Sequence, residues 1–260
     1  MSYYRQGTNG QARKEWHENG KKLTGDQTTQ IGSHGFPIRK AAGGNGGCRA
    51  NRLGDSPGIS TPMSEKLPLA FLARHGETAW SVTGQHTGLT DLPLTERGER
   101  NAQRLGKRLS GLVFTKIFTS PLQRAARTCE LAGFRSVAEV DPNLVEWNYG
   151  DYEGLRTIDI QAKRPDWQLF RDGCPGGESP AQVGKRADHI VSRLRECKGD
   201  VLVFSSGHFL RVLAARWVGL EPAAGRFLMF RTAALSALGY ENDLSQPVID
   251  FWDDAGCAGD

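Results

Sequence analysis

Two histidines, two arginines and one carboxylate in this chain are residue types that together suit the chemistry of a phosphate monoester. Arg74 and His75 open the segment RHGET at 74–78, while Arg124 and His208 stand in two later polar segments. Arginine forks match phosphate oxygens bidentately, and a neutral imidazole can attack phosphorus. A protonated imidazole can stabilise oxyanions, and a carboxylic acid such as Glu146 can protonate a departing alkoxide. No Asp/His cluster has metal-ligand spacing, so we expect a metal-free reaction that needs no cofactor.

The elements predicted from hydrophobic spacing place these groups at strand ends. Apolar runs at 67–73, 116–119 and 201–204 predict buried strands, and polar clusters follow each of them. Thr95 is a candidate N-cap for a helix to about 109, and Pro121 suits the first turn of a helix at 122–131. The other predicted elements are helices at 179–197 and 210–218 and β-type runs at 227–230 and 234–238.

Strands that alternate with helices indicate a three-layer α/β/α fold, with a mainly parallel central sheet flanked by helices. In such a sheet the active site lies beyond the carboxyl ends of the strands. We therefore expect the polar clusters to meet at one edge of the sheet.

Further polar motifs stand in a fixed order along the same stretch. After RHGET come GLTDLPLTERG at 88–98, SPLQRA at 120–125, Glu146 with GDYEG at 150–154, GES at 177–179 and SGH at 206–208. This ordered set, from Leu69 to about Tyr240, resembles the histidine phosphatase superfamily, also called the phosphoglycerate mutase-like family. The resemblance implies phosphoryl chemistry on a small phosphorylated metabolite.

The resemblance also implies a role for each chemical group. His75 would be the nucleophile that forms a phosphohistidine, and Glu146 would act as general acid on the leaving group and then as base for water. The remaining catalytic residues, which would form the phosphate pocket, are Arg74, Arg124 and His208. The residues expected to bind substrate are Arg74, Ser81, Thr87, Gly88, Arg124, His208 and Phe209.

Two features favour a phosphatase over a phosphoglycerate mutase. Mutases of the family carry an inserted segment with paired arginines, whereas here 22 residues without an Arg-Arg pair separate Gly154 from Gly177. Ser81 follows Trp80 where many relatives have asparagine. The segments 87–95 and 167–174 resemble a phosphatase branch that includes fungal sedoheptulose-bisphosphatases, which implies a sugar phosphate or bisphosphate. A mutase with the same pocket, and a non-catalytic phosphate-binding module of the same fold, are the alternatives.

The excess positive charge is concentrated at the N-terminus. The 260 residues carry a net charge of +4, but residues 1–62 hold nine Lys/Arg against four Asp/Glu, together with 12 of the 32 glycines. This segment has too little apolar surface to offset the entropy of ordering it, so we predict a disordered extension at 1–64. A true start at Met63 is one alternative, and an RNA- or membrane-binding arm is another.

The remaining residues, 63–260, are close to neutral, and we expect neither a nucleic acid nor a membrane as a partner. One domain is predicted at 65–254, with a flexible C-terminus at 255–260. No stretch approaches the roughly 20 apolar residues of a membrane-spanning helix. Five cysteines without C-x-x-C spacing predict free thiols and a cytoplasmic location. We expect Cys174 to pack rather than react, and His86 and His189 to be bystanders; the oligomeric state stays open.

Overall fold

The computed structural model describes residues 66–256. Predictions for the N-terminal extension, for a start at Met63 and for the last four residues of the flexible C-terminus lie outside the described residues. Within 66–256, no helix is both long enough and apolar enough to cross a membrane.

The described residues form a six-stranded mixed sheet with the strand order β3-β2-β4-β1-β5-β6. Strands β3, β2, β4 and β1 run parallel, while β5 and β6 continue the sheet antiparallel. This arrangement confirms the predicted α/β class with a mainly parallel sheet. The strands are β1 (Ala70–Arg74), β2 (Lys116–Thr119), β3 (Glu139–Val140), β4 (Val201–Ser205), β5 (Leu235–Tyr240) and β6 (Pro247–Asp254).

Helices cover both faces of this sheet and also supply the connections between its parallel strands. The α-helices are α1 (Ala79–Thr83), α2 (Glu96–Leu109), α3 (Gln123–Leu131), α4 (Thr157–Gln161), α5 (Leu169–Asp172), α6 (Pro180–Arg195) and α7 (Gly207–Trp217). Between residues 66 and 256, three 3-10 helices lie at Pro142–Leu144, Gly150–Tyr152 and Pro222–Phe227.

Alternate residues of the central strands enter two separate hydrophobic clusters, one on each face. In β4, Val203 packs with α6 and α7, whereas the neighbouring Phe204 packs with Leu105 of α2 and Cys129 of α3. Because successive strand side chains point to opposite faces, a strand buried on both sides reads as a continuous apolar run. This is why β1 and β4 are recognisable in the sequence.

Capping residues define the starts of the two longest helices. Thr95 caps α2 by accepting a hydrogen bond from Gly98 N, and Ser179 caps α6 with Pro180 in the first turn. The first residues of two other helices differ from the prediction. The helix α7 begins at Gly207 rather than at 210, and Pro121 precedes α3 because Leu122 is its N-cap.

The apolar run at 227–230 does not form the predicted strand. The 3-10 helix ends at Phe227, and residues 228–230 have no regular structure. Side chains take the carbonyls that a strand ladder would use: Arg74 donates to Phe230 O, and the Trp252 indole donates to Met229 O at 2.5 Å. The run instead becomes a segment of the wall of a cavity at the edge of the sheet.

Candidate active site

A cavity of about 280 Å³ lies at the carboxyl ends of β1 and β4. It is bounded by the segments that follow those strands, by the 80–87 segment, by the Glu146 loop and by residues 229–230. Six of the residues predicted for the site line it. They are Arg74, His75, Ser81, Thr87, Glu146 and His208.

His75 follows the last residue of β1 and is almost fully buried. Its Nδ1 lies 2.7 Å from the carbonyl oxygen of Gly76, which can only accept a hydrogen bond, so Nδ1 carries the proton and Nε2 keeps its lone pair. Burial, followed by the positive charges of Arg124 and Arg74, holds the pKa of His75 well below its usual value. The ring is therefore a neutral imidazole with a free nucleophilic nitrogen at pH 7.

Arg74 ends β1, and its guanidinium lies against the start of α7. Its Nη1 donates to Phe230 O, while its buried Nε has no hydrogen-bond partner. Burial lowers the pKa of this guanidinium, and the Glu146 carboxylate opposes that shift. A Cβ on Gly207 would lie 2.9 Å from the Arg74 Nε, so a glycine is required for this close approach.

Arg124 lies in the first turn of α3, fully buried beneath the segment 87–90. Its Nη2 donates to Thr87 O at 3.1 Å and to Gly88 O at 2.7 Å, and its Nη1 donates to Thr90 O at 2.9 Å. The Glu153 carboxylate accepts from Gly88 N at 2.8 Å and from Thr90 N at 3.1 Å. Arg124 and Glu153 therefore hold the segment 87–90 from opposite sides. The Nε–H of Arg124 has no hydrogen-bond partner.

Glu146 precedes a buried tryptophan, and its carboxylate accepts three backbone hydrogen bonds. The donors are Trp147 N at 2.9 Å, His208 N at 2.9 Å and Phe209 N at 2.7 Å. The last two are N–H groups of the first turn of α7, which carries the positive end of the helix dipole. This anchoring fixes the carboxylate at the cavity wall beside α7.

His208, in the same first turn, also lines the cavity. Its Nδ1 is 2.5 Å from the hydroxyl of Tyr149. Burial, followed by the charge of Arg211, holds the pKa of His208 well below its usual value. The ring is thus neutral, and burial also raises the pKa of Tyr149, whose hydroxyl stays protonated and can donate to Nδ1.

Three residues predicted to bind substrate do not line the cavity: Arg124, Gly88 and Phe209. Phe209 is fully buried in the core under the guanidinium of Arg186, whose Cζ lies 4.7 Å from the ring centroid. It reaches the site only through the backbone N–H that Glu146 accepts. Gly88 is held between Arg124 and Glu153, and a Cβ there would lie 2.5 Å from a Glu153 oxygen.

Sequence reasoning missed several cavity residues. His86, predicted to be a bystander, lines the cavity, where its ring centroid lies 4.7 Å from that of Tyr149. Arg211 also lines the wall, one turn after His208 on α7. Its spacing of three from a candidate catalytic histidine on a helix was a usable signal. No local pattern marks His86, which lies in a loop.

Other chemical groups fall outside the cavity. Burial raises the pKa of the Cys174 thiol to about 12, which makes it a poor nucleophile, and His189 is exposed on α6. Within residues 66–256, no three His, Cys, Asp or Glu side chains are grouped so that they could hold a metal ion.

Known proteins share this fold. Residues 70–254 match the profile of the histidine phosphatase superfamily, branch 1. An acid phosphatase of Mycobacterium tuberculosis is 44% identical over 183 residues, which cover 69% of this chain and 90% of that protein. Sedoheptulose 1,7-bisphosphatase of Saccharomyces cerevisiae is 39% identical over 193 residues, covering 61% and 70% of the two chains.

The solved structure of a Mycobacterium tuberculosis open reading frame product superposes with a TM-score of 0.69 at 40% identity, covering 72% of this chain and 97% of that one. The chain belongs to the histidine phosphatase superfamily. The family resemblance and the predicted enzyme class, a phosphoric monoester hydrolase, are confirmed.

Proposed function

We propose that the chain is a metal-independent phosphatase that transfers the phosphoryl group of a small metabolite to His75 and then to water. The observation that carries this proposal is the state of His75. It is a neutral imidazole whose Nδ1–H is tied to Gly76 O, and its ring lies in the field of Arg74 and Arg124. Burial, together with the positive charges of Arg124 and Arg74, keeps the nucleophile unprotonated, and the charges can also stabilise the transferred phosphoryl group.

Glu146 is the proposed proton donor. Its carboxyl group would protonate the leaving alkoxide as the phosphorus–oxygen bond breaks and the bond to the His75 Nε2 forms. The resulting carboxylate would take a proton from the water that attacks the phosphohistidine, which returns both side chains to their starting states. The three backbone N–H donors hold the carboxyl group in place during both steps.

His208 would bind an oxygen of the substrate near the leaving group. With Tyr149 donating to Nδ1, the proton of the neutral ring is on Nε2, which makes His208 a hydrogen-bond donor. Arg211 acts on His208, while Arg124 acts on His75, and Arg74 acts on both rings. We therefore assign the phosphoryl group to the His75 side of the cavity and the leaving group to the His208 side.

A sugar phosphate is the proposed substrate class. The cavity volume of about 280 Å³ is just below the usual range of ligand sites, which is roughly 300–1,000 Å³, and suits a small metabolite. Its walls carry hydroxyl, imidazole and guanidinium groups that can bind the oxygens of a polyol. A relative named sedoheptulose 1,7-bisphosphatase supports the same class.

Phosphate release from a panel of sugar phosphates, sugar bisphosphates and a generic aryl phosphate tests this proposal. We expect full-length protein to release inorganic phosphate in the presence of a chelator and to acquire an acid-labile, base-stable label from radiolabelled substrate. His75→Ala should show neither, whereas His189→Ala, at an exposed position of α6, should behave as wild type.

Three results would contradict the proposal. Interconversion of phosphoglycerates without phosphate release would establish a mutase. Phosphate binding with neither turnover nor label would indicate a non-catalytic module. Loss of activity with the chelator, restored by a divalent metal, would show that the reaction depends on a metal.

A further inference from the structure

Three buried side-chain polar atoms within residues 66–256 have no hydrogen-bond partner. They are the Nε of Arg74, the Nε of Arg124 and the Oγ of Ser206. Leaving such a group unpaired is unfavourable, so a buried unpaired donor in a proposed active site indicates a ligand atom that completes the bond. Two of the three belong to the arginines proposed to bind phosphate, and the third belongs to a residue with no role assigned so far.

Strand register places Ser206 beside the proposed nucleophile. Strands β1 and β4 pair in parallel with Arg74 opposite Ser205, and His75 N donates to Ser205 O at 3.0 Å. The next residues, His75 and Ser206, therefore leave the sheet next to each other. Gly207, which follows Ser206, lies directly against the edge of the Arg74 guanidinium that carries the unpaired Nε.

The Ser206 hydroxyl also does not cap the helix that begins after it. Ser206 is the N-cap of α7, where a serine usually accepts a hydrogen bond from the second or third N–H of the helix. Here those two groups, His208 N and Phe209 N, donate to Glu146 instead. The carboxylate has replaced the cap, and the hydroxyl makes no capping bond.

We propose that the Ser206 hydroxyl is a ligand of the transferred phosphoryl group and acts with the Nε–H groups of Arg74 and Arg124. This inference rests on the proposed phosphatase function and adds a residue to it. Three donors around His75 match the three non-bridging oxygens of a phosphate monoester. Ser206 forms no covalent bond in this scheme; it stabilises charge on the oxygens while phosphorus moves between the leaving group and Nε2.

Replacing Ser206 by alanine separates this role from a structural one. Because the hydroxyl has no protein partner, Ser206→Ala should leave the thermal midpoint unchanged or raise it. It should weaken the binding of inorganic phosphate and of orthovanadate, measured by titration calorimetry, and lower kcat/KM about 100-fold. Ser206→Thr, which keeps a hydroxyl, should recover part of the phosphate affinity.

Ser236→Ala is the matched control. Ser236 is also fully buried in the sheet, but its Oγ accepts a hydrogen bond from Asp253 N at 2.9 Å. This variant should lose stability and keep wild-type phosphate affinity. A stability loss in Ser206→Ala together with unchanged affinities and kcat/KM would overturn the inference.

The two proposals fail in different ways. If wild type neither releases phosphate nor labels His75, the phosphatase proposal falls, and calorimetry with phosphate still decides whether Ser206 contacts the anion. If wild type is active and labelled but Ser206→Ala matches it in affinity and rate, only the role of Ser206 falls.

Discussion

At the residue scale, the chemistry of the site depends on the hydrogen-bond partners of its polar side chains as much as on the residue types. The sequence is sufficient to predict His75 and Arg74, because the motif that contains them follows an apolar strand. It does not predict that Arg124 donates to three carbonyls of the segment 87–90 and has its Nε–H without a partner. That outcome depends on the path of a loop whose residues have no periodic pattern.

A prediction at this scale concerns Glu146. We expect Glu146→Gln to keep the hydrogen bonds from Trp147 N and Phe209 N, which share one oxygen, through its amide oxygen. It should lose the bond from His208 N, which goes to the other oxygen, and the transferable proton. Hydrolysis of an alkyl phosphate, whose leaving group needs protonation, should fall by roughly 100- to 10,000-fold, because general acid catalysis contributes about that much. An aryl phosphate with a good leaving group should be affected far less. Equal losses with both esters would argue against Glu146 as the acid.

At the scale of elements, the predicted strands and helices agree with the structure where one period dominates. The run at 201–204 and the amphipathic helix at 96–109 are examples. The sequence does not predict β3, which has two residues, or β6, which is a half-exposed edge strand. The strand predicted at 227–230 is wrong, because this segment forms part of the cavity wall. In these segments tertiary contacts, rather than local propensity, determine the structure.

The helix α6 supports the Glu146 loop through one side chain, which gives a second prediction. Arg186 pairs with Glu178 at 2.8 Å and donates to the carbonyls of Asn143, Val145 and Glu146. Removing it takes the guanidinium away from three carbonyls and from a largely buried carboxylate, which keeps only the hydrogen bond from Asn148 N. Arg186→Ala should therefore lower the free energy of unfolding by about 3 kcal/mol and reduce kcat through displacement of Glu146.

Arg216→Ala provides the comparison for that variant. Arg216 pairs with Asp188 at 2.6 Å in a more exposed ion pair between α7 and α6. Its loss should cost no more than about 1 kcal/mol and leave kcat unchanged. Chemical denaturation and steady-state kinetics on both variants measure the difference. Equal stability losses, or an unchanged kcat in Arg186→Ala, would show that the loop does not depend on Arg186.

At the scale of the whole molecule, the buried histidines make the free energy of unfolding depend on pH. Burial lowers the pKa of His86 to about 4 and holds those of His75 and His208 well below their usual value. Between these values and about 6.5 the unfolded chain binds protons that the folded chain does not. The free energy of unfolding should therefore fall as the pH is lowered from about 6.5 toward 4.

Urea denaturation at pH 7, 6 and 5 measures this dependence. Wild type should lose stability at each step, and His86→Gln should lose less per step because one of the three groups no longer titrates. His189→Gln, altered at an exposed position of α6, should follow wild type. An unchanged slope in His86→Gln would contradict the assignment of a depressed pKa to that ring.

The antiparallel edge of the sheet also determines where the molecule can be modified. Because β5 runs against β1, with Leu235 opposite Ala73 and Leu238 opposite Ala70, the turn from β5 to β6 lies at the amino-terminal end of β1. The cavity lies at the other end of that strand. Residues 241–246 of this turn are exposed. A fluorophore or surface tether attached there would report on or immobilise the protein while the mouth of the cavity stays open to substrate.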